Sequence, residues 1–142
     1  MTAASNYLEN KLIDHVLRGQ TFTPAATLYL ALCTAAPSDS SIGTEVAGNN
    51  YARVAITSSL ANWAGTQAAG STAASSGTGG QSSNNGAVPF PTPSGSWGTV
   101  THWALVDVSS NLYFHGALAA SKLIQSGDDV SFVAGAIQIG VG

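Results

Sequence analysis

The sequence predicts a mainly β protein, an antiparallel β-sandwich of jelly-roll-like character with one amphipathic α-helix at its N-terminus. Three observations predict it. Roughly six to eight short apolar stretches have period-two character, turn formers separate them, and a single helical stripe stands near the start. At 142 residues, 44 % of them hydrophobic, the chain has the length of one domain spanning 1–142 and the means to bury a core.

The helix is expected over 6–18. In NYLENKLIDHVLRG, Leu8, Leu12 and Val16 recur at i, i+4 and i+8, and Ile13 and Leu17 widen the stripe. Asn6 is the expected cap, Glu9 its capping-box partner, and Arg18 followed by Gly19 the stop. Glu9, Lys11 and Asp14 should face out. The stripe reads first as a cover over one end of a sheet, and second as a docking face for a partner.

After Pro24 the period changes to two. In TLYLALCT, Leu28, Leu30 and Leu32 alternate with Tyr29, Ala31 and Cys33. Both faces are apolar, which predicts a central strand with Cys33 as a small buried filler. A turn-rich loop follows, then a strand at Tyr51–Thr57. GAVPFPTP returns to strand character, but Pro89, Pro91 and Pro93 withhold ladder donors and confine it to an edge or an extended crossing. Gly98–Asp107 and Leu112–Ala119, joined by a short turn through SSN, predict a hairpin. A Gly-Asp turn leads to a strand at Asp129–Ala134, and AIQIGV forms the last strand.

Between these lies Ala64–Ala87, AGTQAAGSTAASSGTGGQSSNNGA, without a charge, an aromatic ring or a branched aliphatic side chain. Such a segment cannot order itself by burial. Two outcomes are open: a loose surface loop, or a loop ordered by lying across a neighbouring subunit. Trp63 and Trp97 bracket it and are expected to clamp its ends to the body.

Only 8 % of the residues are charged, against about 25 % in a typical domain. A neutral exterior favours contact with other proteins over free diffusion. The net charge of −3 and the scattered Lys11, Arg18, Arg53 and Lys122 argue against nucleic acid. One cysteine allows no internal disulfide. MTAASNYLEN lacks the basic start and apolar run of a signal peptide, and no stretch approaches the ~20 apolar residues of a membrane span.

The raw material for chemistry is thin. His102 and His115 are expected to face each other across the hairpin, with no third ligand at metal-binding spacing. No serine sits in a G-x-S-x-G context. Asp128 and Asp129 are adjacent and suit a turn better than a catalytic pair. No catalytic, cofactor-binding or metal-binding residue is expected, and no cofactor. Trp63, Trp97 and Trp103 with Phe90, Tyr113 and Phe114 offer a sugar-stacking platform as an alternative to core packing. Tyr7, Trp63, Gln67, Asn84, Asn85 and Trp97 are the expected assembly contacts.

YLENKLIDHVLRG, ATLYLALCTAAPSD, GTEVAGNNYARVAI, VPFPTPSGSWGTVTHWALVD, NLYFHGAL and SGDDVSF, in this order, resemble small virion structural proteins of tailed bacteriophages and prophages. Members of that group are often described as tail fibre or structural proteins. The resemblance implies a non-enzymatic particle component, assembled in the bacterial host cytoplasm and residing in the virion. Its implied partners are further copies of itself, with a homotrimer expected, and other virion proteins such as the major capsid protein or tail proteins. A capsid decoration (cement) protein is the leading expectation. The alternative is a tail fibre or appendage for host attachment, with a carbohydrate-binding surface.

Overall fold

Two apolar strands of alternating character pair at the centre of the molecule, and the remaining elements are arranged around them. The structure, a computed structural model, describes residues 2–141. In chain order its elements are β1 (Thr2–Ala4), α1 (Asn6–Leu17), β2 (Thr27–Ala35), β3 (Thr44–Glu45), β4 (Val54–Thr57), β5 (Gln81–Ser83), β6 (Val88–Pro89), β7 (Gly98–Val106), β8 (Leu112–Ile124), β9 (Ser131–Phe132) and β10 (Gln138–Gly140). The fold is mainly β, with antiparallel pairing and one helix. The main sheet runs β1-β8-β7-β2-β3, with β4 also paired to β2. Two short ribbons, β5–β10 and β6–β9, complete the β structure.

β2 and β7 are central because both faces of each are apolar. Leu28, Leu30 and Leu32 of β2, with Val100, Trp103 and Leu105 of β7, meet Val88, Phe90, Ile137 and Ile139 of the ribbon layer in the principal core. The opposite face carries small residues, Ala31, Cys33 and Ala104, in a second cluster with Val106, Leu112 and Ile42. The Cys33 thiol donates to Ile42 O at 3.3 Å, tying the loop before β3 to that face. Cys33 is buried, as its place in the alternation predicts.

The β7–β8 hairpin forms as expected, closed by Asp107: its Oδ1 accepts from Ser109 N and Asn111 N, at 3.0 and 2.8 Å. β8 runs on to Ile124, beyond the expected end at Ala119. Lys122 pairs with Val100 and Ala117 with His102, so Leu118–Ser121 arch out opposite the single residue Thr101. Pro89 lies on a ribbon edge, where a missing N–H is harmless.

Other expectations need correction. The helix is capped by Ser5, whose Oγ accepts from Leu8 N at 3.1 Å and donates to Leu112 O. Asn6 Nδ2 donates instead to Ser40 Oγ at 2.9 Å, so Glu9 stands one place too far along for a capping box. The apolar stripe does not cover the sheet: only Leu8 is buried, while Leu12, Ile13, Val16 and Leu17 are 42, 52, 71 and 77 % exposed. The chain holds the helix by its first turn, through Ser5, Leu8 and Tyr7, and the later turns stand clear. Tyr51–Thr57 is strand only from Val54, because Asn49 and Asn50 adopt left-handed φ of 50° and 66° just before it. The strand expected at Asp129–Ala134 shrinks to Ser131–Phe132. His102 and His115 are not opposite each other: His102 pairs with Ala117 and His115 with Ala104.

Candidate functional site

The neutral segment is tied together by hydrogen bonds within the chain, so it is not the loose surface loop of the first expectation. Side-chain amides take the place of apolar burial. Gln67 Nε2 donates to Ser71 Oγ and Ala74 O, at 2.9 and 3.1 Å, while its Oε1 accepts from Ser76 N at 3.2 Å. Thr66 N donates to Ser75 Oγ at 3.1 Å, and Thr66 Oγ1 to Gln81 O at 3.2 Å. Each amide offers a donor pair and an acceptor, so one glutamine can stand in for several ladder bonds. Gly65 is needed beside it, since a Cβ there would lie 2.5 Å from Gln67 Oε1.

Asn84 is the second organiser. It is 2 % exposed, its Oδ1 accepts from Ile137 N at 2.8 Å, and its Nδ2 donates to Gly86 O and Val133 O at 2.8 and 3.0 Å. It thereby joins the end of the neutral segment to the turn before β10. Asn85 Nδ2 reaches Ser71 O and Leu60 O, at 3.2 and 3.4 Å. Trp63 pairs with Asn84 through an isolated antiparallel bridge. Of the six expected contact residues, Gln67 and Asn85 thus meet at Ser71, and Trp63 and Asn84 meet in the bridge beside them.

Tyr7 and Trp97 lie elsewhere. Tyr7 packs with Phe22 and Tyr113, ring centroids 6.4 and 5.7 Å away, and Lys11 Nζ lies 5.8 Å from its centroid. Trp97 is buried against Tyr51 and Phe90 and donates Nε1 to Asn49 O at 2.9 Å. It clamps the turn at Asn49–Asn50 onto the proline stretch, not the neutral segment. Trp103 and Phe90 are core. Trp63 alone of the three tryptophans is half-buried, forming one wall of a cavity between the main sheet and the β5–β10 ribbon.

The titratable side chains are dispersed into structural bonds. His102 Nδ1 lies 2.7 Å from Thr101 Oγ1, His115 Nε2 lies 3.1 Å from Asp39 Oδ1, and His15 Nδ1 accepts from Phe22 N at 3.2 Å. Among the described residues no group of three or more His, Cys, Asp or Glu comes together as metal ligands would. No described helix is long and apolar enough to cross a membrane.

One cluster escapes a reading of the sequence. Glu45 receives Arg53 Nη2 and Nε, both at 2.8 Å, and the Tyr51 hydroxyl at 2.7 Å. Tyr51 Oη in turn accepts from Leu32 N at 3.0 Å, filling the β2 ladder where β4 has ended. Arg53 Nη1 continues to Ser110 Oγ at 3.0 Å. Burial alone would push the Glu45 carboxyl up, but hydrogen bonds from Arg53 and Tyr51 and the Arg53 charge outweigh it and hold the group below its ordinary value. Burial, aided by the Glu45 charge, pushes the Cys33 thiol up to about 12, so it stays protonated and inert. The only signal in the sequence is a lone Glu and a lone Arg flanking a Gly-Asn-Asn turn.

The molecule therefore presents a charge-poor β body, an amide-ordered loop and an exposed apolar helix face. No curated protein matches the chain. A family model described as Podophage GP4 fiber I protein gp80 matches residues 3–140, nearly the whole length. The chain belongs to this family of phage virion structural proteins.

Proposed function

We propose that the protein is a fibre component of a podophage tail, working by contact rather than catalysis, in preference to a capsid decoration protein. The observation that carries this reading is the family match over residues 3–140, whose description is of a fibre protein. Two features of the molecule support it. The surface has few ionic groups to desolvate when covered, and α1 exposes four large apolar side chains in one stripe. Association with other virion proteins and between copies of this chain belongs to the same reading. Gln67, with its exposed neighbours in the amide-ordered loop, and the α1 face offer the contact surfaces.

Immunogold labelling of purified particles with antibody to this chain tests the proposal. Gold confined to appendages at the tail vertex is the expected result. Gold distributed over the head surface overturns the fibre reading in favour of shell decoration.

A further inference from the structure

We propose that Asn85–Gly86 is a self-modifying site, where the Asn85 side chain loses ammonia through a cyclic imide and thereby loosens the neutral segment. The nucleophile is the Gly86 nitrogen and the electrophile is Asn85 Cγ. Among the asparagines of the sequence, only Asn85 is followed by a glycine; elsewhere the next residue carries a side chain that crowds the approach. Gly86 is exposed, and a Cβ there would meet nothing within 4 Å, so the space for ring closure is open. Its N–H makes no hydrogen bond among the described residues, whereas the nitrogen that follows Asn84 donates to Asn62 O at 2.8 Å.

The Asn85 amide is lightly held. Its Nδ2 donates to Ser71 O at 3.2 Å and to Leu60 O at 3.4 Å, both longer than the ~2.9–3.0 Å usual for such bonds. Its Oδ1 is buried and accepts no hydrogen bond among the described residues. A buried acceptor without a donor burdens the folded state, so turning the carbonyl toward Gly86 N and water gives up nothing at that atom. The two bonds that must break are the ones that tie residue 85 across the neutral segment.

The reaction takes in one water and releases one ammonia. Gly86 N bonds to Cγ and gives its proton to solvent; the Cγ–Nδ2 bond then breaks, and the nitrogen leaves with a proton taken from solvent. Water opens the imide at either carbonyl. Opening at Cγ leaves aspartate, and opening at the main-chain carbonyl leaves isoaspartate, with the backbone routed through the side chain. Either product is a carboxylate in a stretch, Val54–Val106, that holds no Asp, Glu, Lys or Arg. In aspartate, an acceptor-only group replaces the donor to Ser71 O and Leu60 O, so oxygen faces oxygen and both carbonyls lose their partner. Isoaspartate also lengthens the main chain between Asn84 and Gly86, which Asn84 Nδ2 ties to Gly86 O at 2.8 Å. A neutral, tied segment becomes a charged and looser one, by a property of the chain that is independent of the fibre reading.

Incubation of the folded full chain in mildly alkaline heavy-oxygen water, followed by peptide mass mapping, is the test. Heavy oxygen should enter residue 85 ahead of every other asparagine, and about tenfold more slowly in Gly86→Ala, where the fold has room for the Cβ. Hydroxylamine, which opens the imide, should cut the native chain between residues 85 and 86 and spare that variant. Asn85→Asp supplies the product charge at once. Limited proteolysis should then cut within Ala64–Gly80 several times faster than in the native chain, with the unfolding midpoint nearly the same. Absence of label at residue 85 of the folded chain, over a period that labels the denatured one, overturns the proposal. Labelling that Gly86→Ala leaves unchanged, or that another asparagine leads, overturns it too. Cutting no faster in Asn85→Asp than in the native chain overturns the loosening.

Discussion

The indole of Trp103 lies directly over Gly116 on the neighbouring strand, so close that a Cβ at position 116 would sit 2.7 Å from its Cζ2 and 2.9 Å from its Cε2. The ring is buried in the principal core, so a Cβ at position 116 forces it or the strand to shift. Overpacking of this kind costs about 1–3 kcal/mol, so Gly116→Ala should lower the unfolding free energy by an amount in that range and the denaturant midpoint with it. Gly86→Ala is the matched control, because a Cβ there would meet nothing within 4 Å and the φ of Gly86 is not left-handed. Chemical denaturation followed by tryptophan fluorescence should show a large shift for the first and almost none for the second.

Asn84 supports a comparable loss by a different mechanism. Asn84→Ala strips the acceptor from Ile137 N and the donor from Val133 O and Gly86 O, all near a buried side chain. A buried polar group left unsatisfied costs about 1–3 kcal/mol, and the cavity of the missing amide adds to it. Hydrogen exchange should localise the effect, with faster exchange at Ile137 and around β10 and little change in β2 or β7.

These two sites differ in how far the sequence revealed them. Trp103 stands in an alternating apolar strand, and period two alone places it in the core. Asn84 sits in a run whose composition reads as a tether, and composition carries no information about which amide reaches which carbonyl. The same holds for α1. The periodicity of Leu8, Leu12 and Val16 locates a helix, but whether a stripe meets a sheet depends on the chain either side of it, and here only the first turn is held. Glu45 and Arg53 show a third case: the pair is made by a turn of two left-handed asparagines, which no local pattern of charge announces. The strands and the hairpin were legible because their signal is local and repetitive; the candidate contact surfaces were not, because they arise from long-range hydrogen bonds.

Acid should weaken the fold partly through Glu45. Its carboxyl is held below the ordinary value of 4.5, so its contribution to stability is complete above that pH and is lost as the pH falls through the lowered folded value. Glu45→Gln should flatten the stability profile in that acidic window and leave a protein somewhat less stable at neutral pH. Tyr51→Phe should cost about 1–3 kcal/mol at neutral pH, because Leu32 N–H then lacks its acceptor. Urea titrations at a series of pH values check both expectations, and an unchanged acidic slope in Glu45→Gln would exclude this cluster as its source.

The neutral segment should open independently of the core. The Gln67 side chain bonds only within residues 67–76, so Gln67→Ala removes its local ties without touching Asn84 or the main sheet. Limited proteolysis should cut within Ala64–Gly80 several times faster in this variant, while the global unfolding midpoint stays nearly the same. A matching fall in the global midpoint would mean that the loop and the core unfold as one unit.

The exposed face of α1 makes the last prediction, and it separates assembly from folding. Leu12, Ile13, Val16 and Leu17 line the outward side of a helix whose first turn is fixed by Ser5, Leu8 and Tyr7. Exposed side chains contribute little to the stability of the isolated subunit, so Leu12→Ser with Val16→Ser should change it by less than about 1 kcal/mol, including the loss of helix propensity. The same pair should matter greatly wherever the stripe is covered, since each large apolar side chain removed from water there contributes about 1.5–3 kcal/mol. Light scattering of the purified protein across a concentration series, native against double variant, reads association between copies. Incorporation of each into particles reads attachment to other virion proteins. A variant that folds, associates and incorporates as the native chain does would show that the α1 stripe stays uncovered in the particle.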